Sequence, residues 1–301
     1  MLTVIIPTRN RKKELNNILR VLSLTSSGID KIIVIDSSDK TLKDKIFFKN
    51  SKIVYLHTKI KSAAIQRNIG MSLVGANCKF LAFLDDDVIP GSEYFNQLIS
   101  TLKKNKAIGV SGLAVNSKKF HKNGSNKLAT LYRYIFLLDS KKSGIVLKSG
   151  VNIPISFEAN SSGMVQTQWL IGCSIWDYNK IRNLRFDNRL FGQSLGEDVI
   201  FSLKASKNGP LIVNLSTFLE HTESSKQRPN NFEFYRMWVR NRYYIVKEVS
   251  EEKYHPAFHW CNFGKFIILL MFIVKSPTNS LSGLRGMIYG YFDLLKESYA
   301  H

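Results

Sequence analysis

Three consecutive aspartates, Asp85, Asp86 and Asp87, form the strongest candidate for a chemical site in the sequence. They follow the apolar residues 80–84, which predict a buried strand. Adjacent carboxylates repel one another unless a cation lies among them, and carboxylate oxygens suit Mg²⁺ or Mn²⁺. In an extended segment Asp85 and Asp87 point to one side and Asp86 to the other, so Asp86 is predicted to be secondary. The alternative interpretation is a solvated acidic turn.

Other polar residues follow predicted strands in the same way. Pro7, Thr8 and Arg9 come directly after the first apolar run, and Asp36 ends the second. Arg67 lies in a predicted helix just before the aspartates. Ligands of open α/β sheets bind beyond the carboxyl ends of the strands, so these residues are predicted to contact a nucleotide. Taken singly, Arg67 could instead be an ion-pair residue and Asp36 a turn cap.

The elements that position these residues alternate between strand and helix over the first 110 residues or so, which predicts a parallel α/β sheet. Apolar runs predict strands at residues 3–6, 32–35, 53–56 and 80–84. Amphipathic spacing predicts helices at residues 11–24 and 62–74 and a third from residue 92. From about residue 230 onward the chain is predicted to be helical, with many aromatic and basic side chains.

Composition limits the possible partners. The 301 residues include 43 Lys and Arg against 23 Asp and Glu, a formal net charge of +20, and 44% are hydrophobic, which argues against disorder. The charge favours phosphorylated small molecules or an anionic lipid surface, although a solvated lysine-rich surface also explains it. No zinc-finger or RNP-like pattern is present, so no nucleic acid partner is expected.

The expected location is the cytoplasm. The three cysteines, Cys78, Cys173 and Cys261, lie far apart in the sequence, which fits a reducing compartment rather than a disulfide scaffold. No secretory signal is visible, and the longest apolar run, residues 266–274, is far shorter than the roughly 20 residues of a spanning helix.

Together the motifs resemble those of family 2 glycosyltransferases, which are inverting enzymes of the GT-A fold that use nucleotide sugars. The resemblance covers about residues 1–225. It rests on the segments VIIPTRN (4–10), IVID (33–36), RNIG (67–70), FLDDD (83–87), WLIGC (169–173), FD (186–187), FG (191–192) and GEDV (196–199). The segment RMWVRNR (236–242) resembles a helix of non-processive bacterial members, and the Gln-x-x-Arg-Trp motif of processive members is absent.

The resemblance implies a role for each residue that binds the donor. Asp36 would contact the base and Asp85 the ribose, and Asp87 would hold the Mg²⁺ or Mn²⁺ ion that bridges the diphosphate. The other residues implied at the nucleotide-sugar site are Pro7, Thr8, Arg9, Arg67, Asp86 and Glu197.

The resemblance also implies a general base and a second metal ligand. Asp198 matches the family's general base, and His221 matches a histidine that helps to hold the metal or the diphosphate. Two alternatives stay open. Glu197 and Asp198 could cap a helix, because carboxylates are stabilised at a helix N-terminus. His221 could be a purely structural histidine.

These implications predict a GT-A domain at residues 1–225 and a helical region at residues 226–301. The donor would be a UDP-, dTDP- or GDP-linked sugar. The acceptor would be a glycan or a lipid-linked saccharide of bacterial surface polysaccharide, such as O-antigen or capsule.

The C-terminal region either packs on the core or lies on the anionic inner face of the cell membrane. Two other functions remain as alternatives: a sugar-phosphate nucleotidyltransferase, and a non-enzymatic protein that binds anionic membranes or nucleic acid. A nucleotidyltransferase usually has a glycine-rich loop after its first strand, but residues 7–11 of this sequence contain no glycine. The second leaves the clustered aspartates unexplained.

Overall fold

The structure is a computed structural model that describes residues 1–25, 28–46, 52–115, 127–157, 162–190, 194–222, 229–250 and 255–299. The chain divides into two compact units. The sheet unit comprises Met1–His121, Ser156–Gln193 and Glu197–Gln227, and the helical unit comprises Lys122–Ile155, Ser194–Gly196 and Arg228–His301. The predicted domain boundary after residue 225 lies outside the described residues, and the helical unit includes chain on both sides of it.

The sheet unit has a mixed, mostly parallel sheet flanked by helices, as predicted. Its strands are β1 (Leu2–Thr8), β2 (Ile29–Asp36), β3 (Ile53–His57), β4 (Phe80–Phe83), β5 (Val88–Pro90), β6 (Gly109–Val115), β9 (Met164–Thr167), β10 (Ser174–Asp177) and β11 (Leu211–His221). Its helices are α1 (Lys12–Thr25), α2 (Ala63–Ser72), α3 (Tyr94–Lys104), α5 (Tyr178–Ile181) and α6 (Glu197–Ser206), with a 3₁₀ turn at Lys43–Lys45.

The strand order of the described sheet is β3-β2-β1-β4-β10-β6-β11-β5, and β9 pairs with β11. Strands β3, β2, β1 and β4 are parallel to one another, and β6 is parallel to β11. Strand β10 runs antiparallel between β4 and β6, and β5 and β9 are antiparallel to β11.

The core of the sheet unit follows from the apolar pattern of its first elements. Every residue of β1 is buried, as expected for an interior parallel strand covered on both faces. Helix α1 turns Leu15, Ile18 and Leu22 inward with no exposed area, and each such side chain contributes about 1.5–3 kcal/mol through burial. Helix α2 approaches β1 so closely that a Cβ at Gly70 would lie 2.6 Å from Ile5 Cγ2.

The carboxyl ends of the parallel strands meet at one edge of the sheet. Thr8 and Asp36 are partners at the last position of the β1–β2 ladder. The Gln66 side-chain amide of α2 donates to the carbonyl oxygens of Thr8 and Ile35, at 2.9 and 2.6 Å. This buried amide ties the two strand ends to α2 and so fixes where the loops begin.

The helical unit contains α4 (Lys127–Ile135), α7 (Asn231–Ser250), α8 (Pro256–Met271), α9 (Pro277–Tyr299) and the hairpin of β7 (Ile145–Val146) and β8 (Asn152–Ile153). Helix α9 packs closely on α7 because Gly283, Gly286 and Gly290 lie at the contact, where a Cβ on Gly286 would be 2.3 Å from the Phe232 carbonyl oxygen. Among the helices that the structure describes, none is both long and apolar enough to cross a membrane.

Candidate active site

Asp86 and Asp87 lie in the turn after β4, and both carboxylates accept hydrogen bonds from one arginine. Arg11 Nη1 lies 2.8 Å from Asp86 Oδ1 and 3.2 Å from Asp87 Oδ2, and Thr8 Oγ1 donates to Asp86 Oδ2 at 2.7 Å. Both aspartates are buried. Burial raises the pKa of Asp86 to about 6, an effect that the charge of Arg11 opposes.

The expected alternation of the three aspartates is wrong. Strand β4 ends at Phe83, so the aspartates do not follow the two-residue period of an extended chain. Asp86 and Asp87 therefore share one cation, Arg11, whereas Asp85 pairs with Arg67. Asp86 thus points to the same cation as Asp87 instead of to the opposite side.

Asp87 also faces His221, the last residue of β11. His221 Nε2 lies 3.2 Å from Asp87 Oδ1, and the backbone and hydroxyl of Thr222 both donate to the Asp87 carbonyl oxygen at 2.9 Å. These bonds fix the end of β11 against the aspartate turn. The structure thus brings together the two residues predicted to hold the metal.

The donor set of Asp87 and His221 fits a divalent cation that is also bound by phosphate. Mg²⁺ in particular is usually held by one or two carboxylates together with substrate phosphate oxygens and water. No group of three or more His, Cys, Asp or Glu side chains within the described ranges could hold a metal ion by itself. An ion held by this pair would need further ligands from water or from a bound ligand.

Arg67 links the aspartate turn to α6. Its side chain is 3% exposed, and it donates to Asp85 Oδ1 at 2.7 Å and to Glu197 Oε1 at 2.6 Å. Asp85 keeps 40% of its side chain exposed, so its carboxylate remains accessible to a ligand. A Cβ at Gly172 would lie 3.1 Å from Arg67 Nη2, so a glycine leaves room for this arginine.

Glu197 and Asp198 form the first turn of α6. Burial raises the pKa of both carboxyl groups, and the charge of Arg67 opposes the shift. Glu197 is held by Arg67, whereas Asp198 Oδ1 accepts the backbone N–H of Val199 at 2.8 Å and keeps part of its surface exposed. The helix N-terminus stabilises both carboxylates, and Asp198 is the more exposed of the two residues.

Asp36 has no exposed surface and is surrounded by protein donors. Its carboxylate accepts from the backbone N–H of Ser38 at 2.8 Å and of Leu42 at 3.0 Å, and from the hydroxyls of Ser38 and Tyr55. These bonds hold the loop after β2 against β3. The predicted contact between Asp36 and the base stays a prediction.

The loop after β1 is held by polar contacts with the loop after β2. Asn10 adopts a positive φ of 55°, and its backbone N–H donates to Ser38 Oγ at 2.7 Å. Arg9 lies 3.9 Å from the exposed Asp39, while Pro7 and Thr8 are buried at the end of β1. Of the predicted site residues in this loop, Arg9 is the one that reaches solvent.

The family model for glycosyl transferase family 2 matches residues 3–163, which include the loop after β1, Asp36, Arg67 and the three aspartates. The chain belongs to glycosyl transferase family 2. The motif FG (191–192), noted in the sequence, lies outside the described residues.

Solved structures of glycosyltransferases share the fold of this enzyme. The crystal structure of residues 1–349 of S. aureus TarS in complex with UDP-GlcNAc is 14% identical, with a TM-score of 0.58 over 96% of this chain and 81% of that one. GalNAc-T7 with UDP, GalNAc and Mn²⁺ is 13% identical, with a TM-score of 0.56 over 92% of this chain and 57% of that one. No curated protein matches the sequence. At these identities the likeness establishes the GT-A fold.

Sequence reasoning assigned no role to three residues that contact the candidate site. Arg11 binds two aspartates, Tyr55 binds Asp36, and Gly172 lies beside Arg67 and Asp85. For Arg11 a signal existed, because it follows the PTRN segment at the start of α1. Tyr55 lies in a predicted strand and Gly172 in the segment WLIGC. Nothing in the sequence indicates that they lie next to Asp36 and Arg67, respectively.

A cavity of about 680 Å³ adjoins the aspartate turn of the glycosyltransferase, a volume typical of small-molecule sites. Its walls combine polar residues of α1 with residues of the turn and β5 and with the residue after β11. They are Lys13, Glu14, Asn16, Asn17, Arg20, Asp86, Asp87, Val88, Ile89 and Thr222. The aspartate turn therefore forms part of the wall of a cavity on this side of the sheet unit.

Proposed function

We propose that this glycosyltransferase transfers a hexosyl group from a nucleotide-sugar donor to an acceptor hydroxyl, with inversion and with a divalent cation. One observation carries the proposal: the sheet edge combines an Asp87–His221 pair suited to a metal diphosphate with a partly accessible carboxylate, Asp198, whose pKa is raised by burial. The Asp87–His221 pair suits a metal ion that neutralises the leaving group, and Asp198 suits a general base.

The donor side of the reaction uses the residues of the aspartate turn. Asp87 and His221 would hold Mg²⁺ or Mn²⁺, which when bound stabilises the negative charge that develops on the leaving diphosphate. Asp85 would accept hydrogen bonds from the ribose, because its carboxylate is exposed and is oriented by Arg67. Arg67 thus positions both Asp85, which would contact the donor, and Glu197 of the acidic pair in α6.

The acceptor side uses Asp198. The acceptor oxygen attacks the anomeric carbon, the bond from that carbon to the diphosphate oxygen breaks, and Asp198 takes the hydroxyl proton. The products are the glycoside with inverted configuration and a nucleoside diphosphate. Glu197 remains bound to Arg67, so it positions the pair without accepting the proton.

The test is a donor titration on the purified full chain. UDP-, dTDP- and GDP-sugars are each titrated with Mg²⁺ or Mn²⁺, and release of the nucleoside diphosphate and the anomeric configuration of the product are measured. We expect one donor class to be turned over to an inverted glycoside. Release of pyrophosphate instead, or retention of configuration, would overturn the proposal.

For the acceptor we propose a lipid-linked saccharide of bacterial surface polysaccharide, reached from the cytoplasmic face of the membrane. The support is an exposed apolar surface of the helical unit. Leu128 and Leu131 of α4 are 77% and 54% exposed, and Trp260 and Phe263 of α8 are 44% and 52% exposed. The two helices are in contact, because Trp260 Nε1 donates to the Ile135 carbonyl oxygen at 2.7 Å.

The charge around this apolar surface favours an anionic bilayer. The sequence has no Asp or Glu between residues 255 and 292 or between residues 122 and 138, whereas both segments carry Lys or Arg. Exposed apolar helices flanked by basic residues bind in the interface of anionic membranes without crossing them.

A further inference from the structure

The helical unit contains a buried guanidinium without a counter-ion among the residues described. Arg242 of α7 is 6% exposed, and its Nε has no hydrogen-bond partner in the same part of the chain. Its guanidinium carbon lies 3.4 Å from the centroid of the Trp238 ring. A stacked ring only partly replaces the hydration that a buried cation loses.

The contrast with the buried arginine of the sheet unit is informative. Arg67 donates to two carboxylates. The acidic group that interacts with Arg242 is the Cys261 thiol, and burial raises the pKa of that thiol, so it is neutral at neutral pH. Burial lowers the pKa of Arg242 to about 10, so the guanidinium is still charged.

A second cation lies against the same indole ring. Lys265 Nζ of α8 is 4.9 Å from the centroid of Trp238, and burial together with the charge of Arg242 lowers the pKa of Lys265. Two neighbouring cations that repel each other in a partly buried place are best stabilised by an anion bound to both.

Two buried N–H groups belong to this cluster, and one of them is on Arg242 itself. Within the described residues, Trp238 Nε1 and Arg242 Nε are both buried without an acceptor. Trp238 and Lys265 retain partial exposure, whereas Arg242 lies deeper. Gly150 packs on the arginine stem, where a Cβ would lie 2.7 Å from Arg242 Cγ. Several N–H donors and two positive charges suit the oxygens of a phosphate group.

We propose that Arg242, Lys265 and Trp238 form a phosphate-binding subsite in the helical unit, which binds a phosphate or diphosphate group that joins the saccharide of the lipid-linked acceptor to its lipid. The subsite itself follows from two cations that have no carboxylate partner in the part of the chain that the structure describes. Its assignment to the acceptor, rather than to a soluble phosphate, rests on the proposed function.

The first test measures binding of inorganic pyrophosphate to the full chain, without donor or metal. The signal is the part of the tryptophan fluorescence change that Trp238→Phe abolishes, which separates this subsite from the donor site. We expect Arg242→Gln and Lys265→Gln each to weaken binding at least tenfold, and Arg242→Lys to restore part of it. The matched control Arg285→Gln removes one charge from the exposed face of α9 and should leave the affinity within twofold.

An unchanged affinity of Arg242→Gln for pyrophosphate would overturn the subsite. So would a loss of the Trp238 signal in the control Arg285→Gln that is as large as the loss in Arg242→Gln. A thermal melt of Arg242→Gln gives a second measurement: if the arginine is only structural, removing the unpaired charge raises the melting temperature without changing the response to pyrophosphate.

The second test distinguishes the source of the phosphate. Vesicles that contain a long-chain prenyl diphosphate are compared with vesicles that contain the corresponding prenyl alcohol. Tighter binding to the diphosphate vesicles that Arg242→Gln abolishes supports the acceptor assignment. Pyrophosphate binding without this preference would overturn that assignment and leave the subsite for a soluble phosphate. Failure of sugar transfer with intact pyrophosphate binding would instead count against the proposed function alone.

Discussion

At the scale of single residues, Asp198 carries the predicted chemistry, because it is the member of the acidic pair that Arg67 does not bind. We expect Asp198→Asn to fold normally and to lower kcat by about 10²–10⁴-fold, the usual contribution of a general base, with a smaller effect on the KM for the donor. Glu93→Gln, which changes an exposed carboxylate at the start of α3, is the control. Turnover near that of the wild type in Asp198→Asn would contradict the assignment.

The pH profile tests the same residue. A general base acts only when it is ionised, and burial raises the pKa of Asp198 above the value near 4 of an ordinary aspartate. The rate should therefore fall as the pH decreases, with a midpoint well above pH 4. A kcat/KM profile that stays flat down to pH 4 would show that the ionisation of Asp198 does not limit the reaction.

Single residues also show where sequence reasoning reached its limit. The order of the aspartates and their place after a buried strand could be read from the apolar pattern. Which of them face each other could not, because the turn after Phe83 replaces the strand period that the prediction assumed. The role of Arg11 depends on α1 lying beside the aspartate turn, which is a tertiary contact.

At the scale of elements, the segment before β10 shapes the space around Arg67. In Gly172→Ala the new Cβ would lie 3.1 Å from Arg67 Nη2 and 3.6 Å from Asp85 Oδ2, so the ion pair must shift. We expect a several-fold rise in the donor KM with little change in stability. Gly75→Ala is the matched control, because a Cβ there has nothing within 4 Å. Equal KM values in both variants would remove Gly172 from the site.

Some strands and helices could be predicted from the sequence, and others could not. Strands β1 to β4 and helices α1 to α3 were predictable, since buried parallel strands are continuous apolar runs and their helices carry one apolar face. The short strands β5 and β9 and the 3₁₀ turn have no comparable periodicity. Strand β10 inserts between β4 and β6 although it follows them in the chain, which local sequence does not encode.

At the scale of the whole molecule, removal of divalent cations tests whether sugar transfer requires the metal in the proposed mechanism. We expect activity to disappear in excess EDTA and to return with Mg²⁺ or Mn²⁺, because the Asp87–His221 pair alone would not neutralise a leaving diphosphate. His221→Ala should raise the metal concentration needed for half-maximal rate. Full activity in EDTA would remove Asp87 from the metal role.

The net charge of +20 and the apolar surface of the helical unit together predict membrane binding. Vesicles with anionic lipid should bind the protein at low salt more tightly than neutral vesicles, and high salt should weaken the binding. Replacing Leu131 and Phe263 together by serine should weaken it at least tenfold. Leu24→Ser, at a leucine of α1 that is more exposed (79%) than either of these residues, should not. Sedimentation with vesicles measures all of these.

The hydrogen bonds around Asp36 have a consequence for the choice of nucleotide. A carboxylate offers about four lone-pair positions, and four protein donors already use them. A base that contacts Asp36, as predicted, would replace or share one of these donors, so the shape of the Ser37–Leu42 loop would affect which nucleotide binds. Engineering a new donor preference would start with that loop and leave the aspartate untouched.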